Sequence, residues 1–289
     1  MHAGTASISV LDKKAFERVA RIALSAAGLT IPESKRTMVQ SRLSRRLKVA
    51  GLSSFEKYLD HVEGGDGARE LEQMVSALTT NVSHFFREDH HFATLRESVF
   101  PQMVARARQG GKVRIWSAGC STGQEPFTIA MVLFEAEPKI DALDVRILAT
   151  DIDQKVLAVA RTGQYDERQM HPVPDALRSR YFEMVRQRGE PNYVAAERLK
   201  KIIRFRPLNL IDPWPMRGTF DVIFCRNVVI YFSEETQATL WPRFHSVLAP
   251  GGWFFLGHSE RIHDANRIGF DTVGVTTYRR PDGPAAHRT

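Results

Sequence analysis

A glycine-rich turn is the first stretch of the chain whose residue types and spacing suggest chemistry. Residues 113–116 (VRIW) form a predicted buried strand, the turn runs from Gly119 to Gly123, and a helix is predicted from about Gln124. Glycine allows positive φ and a close approach of backbone to ligand, and strand, glycine turn and helix open nucleotide-binding α/β folds. The spacing is G-x-x-x-G, not the G-x-G-x-x-G of pyrophosphate sites. The turn therefore favours an adenosyl ligand without phosphates, S-adenosylmethionine, although an ordinary α/β loop can look the same.

A carboxylate stands at the end of the next predicted strand, residues 145–151. This residue, Asp151, can accept hydrogen bonds from both hydroxyls of a ribose, and a strand-end cap is the alternative interpretation. A third stretch, residues 79–88 (TTNVSHFFRE), alternates polar side chains with Val82, Phe85 and Phe86. We interpret it as a segment held against the following domain that presents polar groups to a site, with ordinary interdomain packing as the alternative.

Length and composition indicate a soluble protein. The chain has 289 residues, an apolar fraction of 43% and two cysteines, Cys120 and Cys225. It has no apolar run of membrane-spanning length and no signal-peptide pattern, and two cysteines form neither a disulfide framework nor a metal cluster. We therefore expect a cytoplasmic protein without membrane insertion or a metal, although three histidines, His84, His90 and His91, are close in sequence.

Positive charge is concentrated near the N-terminus. The net charge is +7, and residues 1–65 contain 11 Lys/Arg and 6 Asp/Glu, a balance of 11 − 6 = +5. Residues 35–48 contain six basic residues and no acidic one, which indicates an acidic partner, with a solvated helix face as the alternative. Arg42, Arg45 and Arg46 follow i, i+3, i+4 spacing and are expected on one helix face.

The elements that must position these residues divide the chain. Four helices are predicted before residue 79. The first, second and fourth cover residues 12–28, 32–51 and 70–78, and the third begins at a capping box at residues 53–56 and ends near residue 64. A helix over residues 89–108 and alternating strands and helices follow, interrupted at about 164–200 by a short helix and a hairpin turned at residues 188–191. Residues 281–289 are expected to be frayed.

Five stretches in chain order resemble the chemotaxis receptor glutamate methyltransferases, the CheR family. They are TTNVSHFFRE, SAGCSTGQEP, ATDID, FDVIFCRNVVIYF and FLGHSE, and the resemblance covers essentially the whole chain. It implies an α/β class I SAM-dependent methyltransferase (Rossmann-like) domain with a small inserted β-subdomain, preceded by a small all-α domain. The implied domains are residues 1–78 for receptor recognition, a linker segment at 79–98 that contributes to the cofactor site, and the methyltransferase domain at 99–289.

The resemblance also implies the residues that contact S-adenosylmethionine and its product S-adenosylhomocysteine. They are Asn81, Ser83, Arg87, Gly119, Glu125, Asp151, Asn209, Leu210, Asn227 and Val228. The family more often has threonine at the position of Ser83, and the hydroxyl is kept. A first-turn helix charge remains the alternative for Glu125 and a turn former for Asn227. Glu125, Asp151 and Asn227 all follow strand ends, however, where open α/β sheets bind ligands.

The implied reaction is methylation of glutamate side chains on the cytoplasmic signalling domain of chemoreceptors. A carboxylate that is already anionic needs no general base, so positioning dominates, and Arg87 and Tyr231 are the candidates to orient the reactants. The alternative for Arg87 is that it contacts only the cofactor. The alternative for Tyr231 is that it is a core aromatic residue. Arg42, Arg45 and Arg46 are expected to contact the acidic methylation helices of the receptor. We expect a monomer that binds no nucleic acid.

One feature of the family is expected to be missing. Some members bind a C-terminal receptor pentapeptide through a glycine-rich loop of the inserted subdomain. The corresponding loop here, residues 185–192, is short and has one glycine, so we predict that the protein does not depend on the pentapeptide.

Two rival functions are suggested by parts of the sequence. A nucleic-acid methyltransferase is suggested by the basic N-terminus and a pI of about 9.6, but residues 225–228 (CRNV) lack the [D/N]-P-P-[Y/F/W] pattern and Cys225 follows Phe224 rather than proline. The other rival is a non-catalytic adaptor that binds S-adenosylmethionine or another nucleotide as a signal. Arg87, Glu125, Asp151 and Tyr231 argue against it.

Overall fold

The computed structural model describes residues 10–283 and divides them into two units. The first unit comprises the chain up to Thr80 together with Tyr231–Thr236, and the second comprises Asn81–Ile230 and the chain from Gln237 onward. The C-terminal stretch that we expected to be frayed lies outside the described residues from 284 onward. None of the helices within residues 10–283 combines the length and apolar character that a bilayer crossing requires.

The first unit contains the four expected helices: α1 (Lys13–Ala27), α2 (Arg36–Val49), α3 (Phe55–Glu63) and α4 (Ala68–Leu78). A 3-10 turn, Glu33–Lys35, precedes α2. The side chain of Asp12 caps α1 by accepting from the amide of Ala15 at 2.7 Å, and Gly28 ends the helix at a φ of 68°. The capping box predicted for α3 is wrong in detail. Ser54, not Ser53, caps the helix by accepting from Lys57, so Glu56 is not at the reciprocal position.

The segment Tyr231–Thr236 belongs to this helical unit although it is distant in sequence. Phe232 forms an antiparallel bridge with Leu29. The carbonyl of Tyr231 accepts a hydrogen bond from the amide of Thr30 at 2.8 Å.

The second unit is built on a seven-stranded sheet in the order β6-β2-β1-β7-β8-β10-β9. The strands are β1 (Val113–Ala118), β2 (Val145–Asp151), β6 (Ile203–Pro207), β7 (Phe220–Cys225), β8 (Leu248–Leu256), β9 (Asp271–Gly274) and β10 (Thr277–Arg279). The first five are parallel, and β10 pairs antiparallel with β8 and β9. Every residue of β7 is buried, as expected for a central strand with both faces covered.

Helices connect the strands. They are α5 (His90–Thr94), α6 (Phe100–Arg108), α7 (Gln124–Ala136), α8 (Gln154–Thr162), α12 (Glu234–Val247) and α13 (Ala265–Ile268). The predicted helix over residues 89–108 is interrupted by a π-helical turn, Leu95–Val99, whose end is marked by the amide of Phe100 donating to Leu95. Pro101 follows and has no amide to donate, which disfavours the regular i to i−4 pattern at this point.

The structure differs from the expected linker at residues 79–98. From Asn81 onward these residues belong to the second unit. Phe85, Phe92 and Leu95 are buried in its hydrophobic core. A segment with this much core burial is an integral part of the sheet-containing unit rather than a connection to it.

An inserted three-stranded sheet, ordered β3-β5-β4, interrupts the main fold as predicted. Its elements are β3 (Gln164–Asp166), α9 (Glu167–Met170), α10 (Asp175–Tyr181), β4 (Phe182–Gln187), β5 (Glu190–Ala195) and α11 (Glu197–Ile202). The hairpin turn is tighter than predicted. It contains only Arg188 and Gly189, both at positive φ, because β5 already begins at Glu190.

Candidate active site

Three neighbouring parallel strands bring the predicted site residues to one edge of the sheet. Strand β1 lies between β2 and β7, so the chain crosses over to opposite sides of it. Strand β1 ends at Ala118, β2 at Asp151 and β7 at Cys225. Because the carboxyl ends of parallel strands share an edge, the glycine turn, Asp151 and the residues after β7 meet at a topological switch point. Open α/β sheets bind ligands at such a point.

The glycine turn is shaped by a close approach of two loops. Gly119 has a φ of 83°, and a Cβ at this position would collide with the side chain of Val228, which follows β7. Gly123 has a φ of 96°, and its Cβ would lie 2.9 Å from the hydroxyl oxygen of Tyr165. Larger residues therefore cannot replace either glycine without moving a neighbouring element.

Asp151 is a buried carboxylate held by backbone amides. Its two side-chain oxygens accept from the amides of Ser121 at 2.8 Å and Asp153 at 2.9 Å. Burial raises the pKa of Asp151, and these hydrogen bonds oppose the shift. A carboxylate has about four acceptor positions, so this fixed group keeps acceptor capacity for the paired hydroxyls of a ribose.

Asn81 ties the incoming segment to this carboxylate region. Its side-chain amide donates to Asp153 at 2.8 Å, and its carbonyl accepts from the hydroxyl of Ser121 at 2.7 Å. Asp153 in turn caps helix α8 by accepting from Lys155. The structure thus brings Asn81 to the glycine turn and gives its side chain a supporting role there. Ser83, two residues on, is half-buried.

Glu125 lies in a second buried charged group with Glu88 and Arg226. Its oxygens accept from the hydroxyl of Ser117 at 2.6 Å and from the guanidinium of Arg226 at 3.2 Å. Burial raises the pKa of Glu125, and the charge of Arg226 opposes this. Burial acts the same way on Glu88, but Arg226 and hydrogen bonds from His258 and Asn227 outweigh it and lower the pKa of Glu88 to about 2.

Arg87 is the most exposed charged side chain of this group. Its guanidinium donates to the carbonyl of Val82 at 3.2 Å and approaches Glu88 to 4.0 Å. The side chain retains 28% of its exposure. Its remaining N–H groups are therefore accessible to a ligand.

The loop after β7 is held by a buried carboxylate that the sequence prediction did not single out. Glu260, 3% exposed, accepts from four backbone amides, which belong to Asn227 at 2.8 Å, Val228 at 2.8 Å, Ile230 at 3.3 Å and Gly257 at 2.6 Å. Asn227 has a positive φ of 59°, a conformation that needs such support in a residue other than glycine. Glu260 thus fixes the position from which Asn227 and Val228 face the site.

Asn209 and Leu210 follow strand β6 at the same edge. The amide of Leu208 donates to the carbonyl of Asp151 at 3.0 Å, which extends the β2–β6 pairing. Asn209 accepts from the amide of Ile211 at 3.4 Å. Leu210 is buried, and its carbonyl accepts from Trp214 at 3.0 Å. The loop is therefore anchored to the neighbouring strand.

The three arginines predicted to contact a receptor have different surroundings in the first unit. Arg46 forms a two-point ion pair with Glu70 at 2.9 and 2.6 Å, and Glu70 also accepts from the hydroxyl of Tyr58 at 2.8 Å. Arg42 donates to the carbonyls of Leu78 at 3.0 Å and Thr79 at 2.9 Å at the end of α4. Arg45 is exposed. Arg45 is therefore the most accessible of the three arginines, whereas Arg42 and Arg46 are half-buried.

Four charged residues were missed as parts of the site, namely the half-buried Glu88 and the buried Asp153, Arg226 and Glu260. Each stood inside a quoted motif, in FRE, DID, CRN and HSE respectively. The signal that could have found them is a charged residue next to a predicted buried strand or aromatic pair, because such a charge needs a partner. The sequence does not specify which partner.

The strand order, the glycine turn and the acidic end of β2 define a class I S-adenosylmethionine-dependent methyltransferase. The family model described as the CheR methyltransferase SAM binding domain matches residues 81–279, and that of the CheR methyltransferase all-alpha domain matches residues 14–79. The chain belongs to the CheR methyltransferase family.

Curated relatives match nearly the whole chain. The "probable chemotaxis protein methyltransferase" of Rhizobium etli is 47% identical, covering 88% of this chain and 95% of the relative. "Chemotaxis protein methyltransferase 2" of Pseudomonas aeruginosa is 41% identical, covering 91% of each chain. The "chemotaxis protein methyltransferase" of Escherichia coli is 36% identical, covering 91% of this chain and 89% of the relative.

Proposed function

We propose that the protein transfers a methyl group from S-adenosylmethionine to glutamate side chains of chemoreceptors, giving glutamyl methyl esters and S-adenosylhomocysteine. The observation that carries the proposal is a pair of fixed carboxylates, the buried Asp151 and the half-buried Glu125, on either side of a glycine turn at the sheet edge. The relatives named chemotaxis protein methyltransferase support the choice of receptor as substrate.

The residues present fit S-adenosylmethionine. Asp151 would accept from the ribose hydroxyls, and Glu125 would accept from the ammonium of the methionine end. Gly119 lets the side chain of Val228 approach the turn closely, and Arg87 has N–H groups accessible to the donor's carboxylate. Asn81 and Ser83, together with the loops at Asn209–Leu210 and Asn227–Val228, complete the proposed contacts.

The proposed reaction needs orientation more than acid–base chemistry. When bound, S-adenosylmethionine supplies an electrophilic methyl group on a sulfonium. A glutamate side chain with a pKa near ~4.3 is already anionic at neutral pH, so no residue has to remove a proton and no metal is required. Holding reactants in line can contribute about 7–11 kcal/mol to lowering a barrier. We assign this orienting role to Arg87 and Tyr231.

Recognition of the receptor falls to the helical unit in this proposal. Receptor methylation helices are proposed to be acidic, and Arg45 on α2 offers an exposed positive charge to them. Arg42 and Arg46 also bond within the unit, and we propose that they contribute to the same receptor-binding surface. Action as a cytoplasmic monomer stays a prediction.

The inserted subdomain supports independence from a receptor pentapeptide. Its hairpin turn has only two residues, Arg188 and Gly189. A two-residue turn is too short to form a loop that encloses a peptide. Strong binding of a C-terminal receptor pentapeptide to this subdomain would contradict the proposal.

A methyl-transfer assay tests the proposed function. The protein is incubated with methyl-labelled S-adenosylmethionine and receptor-containing membranes, and the product is treated with mild base. Label that leaves a receptor band as volatile methanol is expected, because carboxyl methyl esters are base-labile and N-methyl groups are not. Label on nucleic acid would support the rival methyltransferase. Cofactor binding without label on any receptor, including a homologous one, would support the adaptor.

A further inference from the structure

Arg226 is a buried cation that joins two parts of the candidate site. Its side chain is 2% exposed. One guanidinium nitrogen lies 3.2 Å from Glu125 and another 3.2 Å from Glu88. A third contact is a hydrogen bond to the carbonyl of Arg87. Arg226 therefore holds the segment around residues 87–88 and the start of α7 in one arrangement.

The rings around Arg226 isolate it from water. Its guanidinium carbon lies 5.5 Å from the ring centre of Phe92 and 5.9 Å from that of Phe224. Electrostatic interactions in such surroundings are stronger than in water. A change of charge at this position therefore alters the electrostatic energy of the neighbouring carboxylates, with little screening by solvent.

Glu125 shares its buried cation with a second carboxylate. Arg226 lies 3.2 Å from both Glu125 and Glu88, whereas Arg87 approaches Glu88 to 4.0 Å and its side chain is 28% exposed. The second oxygen of Glu125 accepts from the neutral hydroxyl of Ser117, which provides no counter-charge. Glu125 can therefore accept a further cation, and the amino-acid end of S-adenosylmethionine carries an ammonium.

We propose that Arg226 is a positioning residue for the methyl donor. It fixes Glu125, and the carboxylate held in this way receives the ammonium of the donor's amino-acid end. The inference rests on the proposed function, because it takes S-adenosylmethionine as the ligand of this site. Arg226 itself acts through Glu125.

Comparison of two ligands tests the inference. S-adenosylhomocysteine carries the amino-acid end, whereas 5′-methylthioadenosine has the same adenosine without it. In Arg226→Gln, binding of S-adenosylhomocysteine by titration calorimetry is expected to weaken because Glu125 is no longer held in place for the ammonium. The expected loss is on the order of ten- to a hundredfold, the value of one charge-assisted hydrogen bond. Binding of 5′-methylthioadenosine is expected to change by about twofold or less.

A matched control lies at the other end of β7. Arg106 forms an ion pair with Asp221, a residue of the same strand that also accepts from the amide of Arg114 at 2.7 Å. Arg106→Gln also removes an arginine from a carboxylate, away from the edge that carries the glycine turn. It is expected to bind both ligands as the wild type does, within about twofold.

Two further variants keep the test decisive. Arg226→Gln removes a buried cation from two carboxylates, Glu88 and Glu125, and can unfold the chain. Arg226→Lys keeps the charge with fewer donors, and a smaller loss confined to S-adenosylhomocysteine is expected. In a Glu125→Gln background, Arg226→Gln should add little further loss, because the two residues act as one unit.

The outcomes separate the two proposals. A wild-type protein that binds neither ligand would overturn the proposed function and this inference with it. A wild-type protein that binds S-adenosylhomocysteine, with Arg226 variants that weaken both ligands equally or neither, would overturn the inference alone. Additive losses in the Glu125→Gln background would also overturn it.

Discussion

The arginines of helix α2 and the arginine after strand β7 use the same kind of bond for different purposes. In the helical unit, Arg46 and Glu70 form an ion pair, and the nearby hydroxyl of Tyr58 also donates to Glu70. At the sheet edge, Arg226 contacts Glu88 and Glu125. The Arg46–Glu70 pair has one positive and one negative charge and is neutral without a ligand. Arg226 is instead shared between two carboxylates, and in the proposed arrangement Glu125 also receives the ammonium of the bound donor.

The contrast shows that a basic residue in the sequence can be paired with another group in the folded protein. Residues 35–48 contain six basic residues and no acidic one, and the pattern predicted a basic surface. The fold brings Glu70 from α4 against Arg46, and the end of α4 against Arg42. A count of charges along one helix therefore overestimates the basic surface wherever another helix supplies partners.

The largest expected effect comes from breaking the balanced pair. Arg46→Met leaves the carboxylate of Glu70, 12% exposed, without its counter-charge. Loss of one partner from a buried pair costs about 3 kcal/mol, so the free energy of unfolding of the helical unit is expected to fall by about that amount. Urea unfolding followed by circular dichroism measures it.

Two variants control this measurement. Arg45→Met removes an exposed charge from the same helix and should change stability by about 0.5 kcal/mol or less. Arg46→Met combined with Glu70→Leu removes both charges and should recover most of the loss, because no buried charge is left unpaired. A loss below about 1 kcal/mol for Arg46→Met alone would show that solvent screens the pair as it does at a surface.

The second prediction concerns His91, a buried histidine beside Glu88 and Arg226. Burial, and then the nearby charges of Arg226 and His90, lower the pKa of His91 to about 3. A folded-state pKa below the unfolded value means that the unfolded chain binds the proton first, so stability falls as pH drops below the unfolded pKa of about 6.5. Between about pH 7.5 and about pH 5.5, His91 is expected to account for about 1.4 kcal/mol of lost stability.

His91→Gln should remove this part of the pH dependence. The difference between the wild type and the variant, from urea unfolding at each pH, isolates the residue from other histidines. His90→Gln, which changes the exposed neighbour, serves as the control and should keep the wild-type slope. The Arg46–Glu70 pair should not contribute in this window, because the pKa of Glu70 is lowered and its stabilisation is lost only at more acid pH. Equal slopes in the wild type and His91→Gln would contradict the prediction.

The fold followed from the sequence because its local patterns agree with its tertiary packing. The stretch from Phe220 to Cys225 is almost continuously apolar, as a strand covered on both faces must be, and Gly28 marks the end of α1. The π-helical turn at Leu95–Val99 was missed, because its only local signal is Pro101, which is also acceptable in the first turn of a new helix.

The site could be predicted from the sequence only in part, because hydrophobic periodicity locates the ends of strands but not the partners of side chains. The pattern of strands brought Asp151 and Glu125 to one edge of the sheet. It could not pair Glu260 with the amides of Asn227 and Val228, which lie more than thirty residues away in sequence. Nor could it show that Arg46 is paired within the helical unit. Both depend on contacts between elements that no local pattern encodes.

The smallest expected effect concerns Arg45, the exposed arginine of α2. Arg45→Gln should lower the kcat/KM of receptor methylation by up to about fivefold at low salt, because one exposed pair contributes about 0–1 kcal/mol. The effect should disappear at high ionic strength, where exposed charges are screened. Lys14→Gln, which removes an exposed charge from α1, should have a smaller effect. Label transfer to receptor membranes at two salt concentrations measures all three proteins. Equal losses for both variants would show general attraction of the basic unit to its substrate, and a loss that persists in high salt would show that Arg45 acts other than by its charge.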